Sequence, residues 1–186
     1  MYKNDPEIIS EQIQRIKLKV QTQNVLLYPV LSEEEIQQFE IKRKIKLPLN
    51  FREFLKVIGN GGSGPPLDNM LQLGSIPENM NEWEKENWSS LKNIFKPFPF
   101  INKWPWEEQG WQEILHTNYE SITYGNICLG SHTWNSRWHL VITGPERGNM
   151  WFVYEDGLVP CKNYADFLSW YEVWLDTRTR QPDYFD

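Results

Sequence analysis

Cys128 and Cys161, with His116, His132 and His139, are the residues of this sequence that could serve as nucleophile, base or soft metal ligand. Nucleophilic catalysis needs a Ser or Cys within reach of a base, and no Gly-x-Ser-x-Gly elbow presents a serine. Cys128 falls in one expected strand and His139 in a neighbouring one, so a Cys–His pair is geometrically available. The plainer reading of a strand cysteine is a small core side chain. Cys128, His132, His139 and Cys161 carry zinc-binding atoms, yet Cys-x3-His-x6-His matches no standard structural spacing. No metal site and no cofactor are expected, and His116 and His132 read as loop residues.

The Gly-rich turn Asn60-Gly61-Gly62-Ser63-Gly64 lacks the Gly-Lys-Ser/Thr ending of a phosphate loop and follows a helix, where a phosphate loop follows a strand. It reads as a sharp helix exit that needs positive φ. Glu82, Glu84 and Glu86, and the pair Glu107-Glu108, have the residue type for acid–base work. That chemistry needs a cleft that drives pKa values apart, whereas these side chains stand in a polar stretch beside Lys85 and Asn87. Five of the ten tryptophans, Trp83, Trp88, Trp104, Trp106 and Trp111, lie among prolines and carboxylates where no periodicity explains their burial. Aromatics rimmed by charge describe a protein interface, and equally a loop that buries a small satellite core of its own. The candidate partner-binding residues are Glu82, Glu84, Glu86, Trp104, Trp106, Glu107, Glu108 and Trp111; no catalytic residue is expected.

The elements that would position these residues can be read from capping and period. A first helix opens at Asp5-Pro6-Glu7, with Pro6 at the first helical position and an apolar stripe of Ile9, Ile13, Ile16 and Val20. That narrow face docks on the body or on a second copy, which would make a homodimer. Ser32 and Glu35 form a capping box for a second helix, with Leu31 and Ile36 as a hydrophobic staple and Ile36 and Phe39 inward. A third enters through Pro48 and carries Phe51, Phe54, Leu55 and Ile58. From 76 to 111 the period dissolves into a long loop with one short helix near 82–92. Strands follow at 125–129, 138–143, 149–154 and 158–161, the last three an antiparallel meander joined at Gly144–Gly148 and Asp156-Gly157. A closing helix runs from Asn163, as its cap, to about Asp176, with Phe167, Trp170, Tyr171 and Trp174 on one face. Helices, then strands, then a helix predict an α+β domain with one helix-covered sheet.

With 186 residues the chain fits one domain. Its net charge of −6 argues against nucleic acid or an anionic membrane as partner, since phosphate contacts need clustered cations. Residues 77–120 hold four basic and eight acidic side chains, so a basic partner suits that stretch. The N-terminus has no apolar signal core, and two cysteines form one bridge at most; a cytoplasmic protein with reduced thiols is expected.

Several segments taken in order resemble a known family. Leu-Ser-Glu-Glu-Glu-Ile-x-x-Phe-Glu, then Ile-Lys-Leu-Pro-x-x-Phe-Arg-Glu-Phe-Leu, then Gly-Asn-Gly-Gly-Ser-Gly-Pro, all within 31–65, resemble the opening of the SUKH superfamily. That superfamily unites yeast cell-wall synthesis regulators with bacterial immunity proteins. Gly125-Asn126-Ile127-Cys128-Leu129-Gly130, the segment from Leu140 to Trp151 and the segment from Phe167 to Asp176 follow in matching order and spacing. The resemblance covers about residues 31–176. It implies a single α+β domain with a curved, mostly antiparallel sheet flanked by helices, preceded by a helical arm over 1–30, with the domain spanning 31–186 around a Trp-rich insertion at about 77–113. It also implies a non-enzymatic role: an immunity protein that neutralises a toxin domain, often a nuclease, or else a regulatory or scaffold protein docking a cellular client. Immunity proteins diverge where they meet their toxins, so the candidate interface is taken from composition alone.

Overall fold

The computed structural model describes residues 5–65, 67, 69–78, 80, 82, 85–89, 91–105, 119–133, 136–154, 157–163 and 165–178. Among them the chain forms four α-helices and a five-stranded sheet: α1 Pro6–Thr22, α2 Glu33–Arg43, α3 Leu49–Val57, β1 Trp104–Pro105, β2 Asn126–Thr133, β3 Ser136–Val141, β4 Met150–Tyr154, β5 Gly157–Pro160 and α4 Phe167–Thr177. The strand order is β1-β5-β4-β3-β2, and every neighbouring pair is antiparallel. This is an α+β domain.

Local chemistry sets the helix starts. The side chain of Asp5 accepts from the Glu7 N–H ahead of Pro6, and Ser32 and Glu35 close both bonds of their capping box. α2 ends with Lys44 in the left-handed region at φ +56. Ile9, Ile13 and Ile16 bury the face of α1 against α3 and α4 of the same chain, so the stripe docks on the body. Phe51 and Phe54 of α3 meet Phe167 of α4 edge to face at 4.8 and 5.0 Å, and Phe54 meets Tyr171 at 4.7 Å.

Strand alternation sends side chains to two cores. Ile127, Leu129, Trp138, Leu140 and Met150 join the helices in the larger one. Cys128, Val141, Trp151, Val153 and Leu158 face the other way and pack under Met80, Trp88 and Phe98. The sheet is therefore covered on both faces, by helices on one and by part of the Trp-rich stretch on the other.

Several elements differ from expectation, among them β1 at Trp104–Pro105, inside the stretch expected as a loop, and β3, which starts and ends two residues early. The turn near 82–92 is a π-helical turn, Lys85–Ser89. β2 runs on to Thr133, because register shifts between Cys128 and Gly130 and between Ser131 and Thr133 absorb residues that break a simple strand pattern. α4 is capped by Asp166, whose carboxylate accepts from the Ser169 N–H, and Asn163 lies outside the helix. The cause is the approach to β4: Met150 N donates to Ala165 O at 2.6 Å and Asn149 bridges Asp166, which holds the chain extended until Phe167.

Candidate functional site

Glu82 and Glu86 face solvent. The Glu82 side chain is 93% exposed and accepts from Lys85 Nζ at 2.9 Å. Their neighbour Trp88 is buried, and its Nε1 donates to Asn126 Oδ1 at 3.1 Å, fastening the segment to the sheet. Trp104 is half-buried in β1, stacked on Phe100 at 4.8 Å and packed beside the second core. Trp88 and Trp104 thus belong to a satellite core under the sheet, while the two carboxylates stay outside it. Glu84, Trp106, Glu107, Glu108 and Trp111, with Trp83 and His116, lie outside the described residues.

Asn126 organises the polar centre beneath this segment. Its Oδ1 accepts from His139 Nδ1 at 2.8 Å as well as from Trp88, and its Nδ2 donates to the carbonyls of Ile122 and Tyr124 at 2.7 and 2.9 Å. An amide oxygen can only accept, so neutral His139 carries its proton on Nδ1. Nε2 is left as an acceptor with no partner among the described residues. Burial, with the charge of Arg137 adding to it, pushes the imidazole pKa down to about 3.

Cys128 stands directly across from His139 in the β2–β3 register, so the sequence placed this pair correctly. A base that is charged only near pH 3 is poorly matched to taking a proton from a thiol at neutral pH. The zinc-type set is not assembled: Cys128 and Cys161 belong to opposite cores, and His132 lies in β2 with its ring edge-on to Phe152 at 5.7 Å. No group of three or more His, Cys, Asp or Glu side chains gathers among the described residues.

An open cavity of about 610 Å³ lies at the β4–β5 end of the sheet, lined by Asn102, Lys103, Phe152, Tyr154, Val159, Pro160 and Lys162. Its floor is Phe152 and Tyr154, stacked 6.0 Å apart and inclined by 15°. Period-two spacing in Met150–Tyr154 puts both rings on the helix side of the sheet, where Trp138 links Phe152 to Trp170 of α4. The sequence reading missed this site. Alternation marks Phe152 and Tyr154 as sharing a face, but nothing local says that α4 leaves Tyr154 half-exposed.

No helix among the described residues is long and apolar enough to cross a membrane. No family model, curated protein or solved structure matches the chain, so its function is argued from these residues.

Proposed function

We propose that this chain is a non-enzymatic immunity protein that binds and neutralises a cognate, basic toxin domain of nuclease type. The observation that carries this reading is the pairing of two solvent-facing carboxylates, Glu82 and Glu86, with a segment pinned to the sheet through Trp88. A carboxylate on an anchored segment meets a cationic partner with less ordering cost than one on a loose loop. Nucleases need cationic surfaces to hold phosphates, and an acidic inhibitor gains association rate and selectivity from that charge. The net charge of −6 agrees in sign, and the resemblance of residues 31–176 to the SUKH superfamily supplies the class. The neutral, buried state of His139 speaks for the non-enzymatic half of the proposal.

The test is to mix the purified chain with the C-terminal domain of a toxin encoded beside it and to measure both complex formation and nuclease activity. A stoichiometric complex with the nuclease silenced is expected. Absence of a complex, or a complex that leaves the nuclease active, would contradict the proposal; the second result would favour a scaffold role. Turnover by the chain itself that disappears in Cys128→Ala would overturn its non-enzymatic part.

A further inference from the structure

The cavity at the β4–β5 end differs in charge from the acidic segment. Its cations are Lys103 and Lys162, both exposed and neither paired with a carboxylate among the described residues. The same cavity is lined by two stacked aromatic rings and by the apolar side chains of Val159 and Pro160. Asn102 adds an amide at the rim. A cavity that combines an apolar, aromatic surface with two ammonium groups suits an apolar side chain with carboxylates next to it.

We propose that this cavity is a second docking site, which takes an acidic peptide segment of a partner protein. It seats an aromatic or aliphatic side chain of that segment on Phe152 and Tyr154 and sets a flanking carboxylate against Lys103 and Lys162. The openness of the site favours a peptide over a free small molecule. Asn102, Lys103 and Lys162 are exposed and Tyr154, Val159 and Pro160 only half-buried, so a small ligand would be covered on one side, short of the enclosure that small-molecule sites provide. Single-stranded nucleic acid also stacks on aromatics, but its affinity grows with the number of phosphates neutralised, and two lysines on an acidic protein offer few. The inference does not rest on the toxin reading, because it concerns another surface and the opposite charge.

The experiment uses the full chain and fluorescence anisotropy of labelled peptides: Gly-Asp-Phe-Asp-Gly, the same peptide with Lys for Asp, and the same with Ser for Phe. The acidic aromatic peptide should bind saturably, and both altered peptides about tenfold or more weakly. Lys103→Glu with Lys162→Glu should weaken the acidic peptide to a similar degree while keeping the wild-type melting temperature, since both side chains are exposed. Tyr154→Ser gives a second, uncharged disruption of the floor. The proposal is overturned if the acidic peptide fails to bind, if the lysine peptide binds as well, or if the lysine variant keeps full affinity. Tighter binding of a short oligothymidylate would reassign the site to nucleic acid, and tighter binding of benzoate would reassign it to small molecules.

Discussion

Gly62 sits at φ +110, and a Cβ there would lie 2.7 Å from Leu26 O and 2.8 Å from Leu27 Cα. Its N–H and C=O are both spent on Met70, so the residue cannot back away without giving up that bridge. Gly62→Val should therefore cost about 1–2 kcal/mol in backbone strain, with the steric contact in addition, and lower the melting temperature. Unchanged stability together with lost partner binding would instead give the turn a role in recognition. His139 sets a second expectation at this scale. Its folded pKa, about 3, lies below the ordinary value of 6.5, so the unfolded chain binds a proton that the folded chain refuses. Stability is complete above pH 6.5 and falls as pH drops from there toward 3, by about 2 kcal/mol on reaching pH 5. Glu33 extends the acid limb. Hydrogen bonds from Arg52 and Gln37 hold its carboxyl at about 2, so what it contributes is present above pH 4.5 and is lost as pH falls toward 2. Urea titrations at pH 7.5 and pH 5 should show the His139 loss in wild type and a much smaller one in His139→Gln. Equal losses in both would place the acid sensitivity elsewhere.

α1 is held to the helical layer by two kinds of contact of unequal strength. Glu172 of α4 accepts from Gln12 at 3.0 Å, from Arg15 at 3.1 and 3.2 Å and from Lys19 at 3.0 Å. Burial raises the Glu172 carboxyl, and the bonds from Arg15, Lys19 and Gln12 outweigh that and leave it below the ordinary range. Arg15 is exposed and screened by water, so Glu172→Ala should cost only about 1 kcal/mol or less. Ile16 is fully buried in the larger core, and Ile16→Ala should cost about 2–5 kcal/mol. Thermal melts of the two variants check the order, and the reverse order would mean that ion pairs dominate the docking. The start of this helix was legible because Asp5-Pro6 and the isoleucine spacing are local signals. The start of α4 was not, because Asn163 and Asp166 are both capping residues and the choice between them is made by β4, which pairs with the chain up to Asp166. Glu40 was missed for a similar reason. Its buried carboxylate accepts from the Leu47 N–H at 2.9 Å and from Lys46 at 3.0 Å, a pocket that appears only once the loop after α2 has folded back.

Across the whole molecule, the antiparallel order of β3 to β5 followed from turn chemistry at Gly144–Gly148 and at Asp156-Gly157, and from apolar runs of strand length. Two features were beyond such reasoning. The cover on the second sheet face comes from Trp88 and Phe98, distant in sequence from the strands they pack on and without a period that would announce them. The aromatic floor of the β4–β5 cavity exists because of where a helix ends its coverage, a property of packing. Of the acidic candidate interface, the sequence correctly gave solvent-facing carboxylates at Glu82 and Glu86, and it could not tell Trp104 as anchor from Trp104 as core. If the acidic segment steers a basic toxin domain, its carboxylates act through a field that salt screens over about 8–10 Å, so they govern encounter more than residence. The most direct test is surface kinetics with the toxin domain at two ionic strengths, comparing wild type with Glu82→Ala plus Glu86→Ala at matched melting temperature. Association should slow in the variant and lose much of its salt dependence, while dissociation stays near wild type; association equal in rate and salt dependence for both proteins, or no binding by either, would contradict the account.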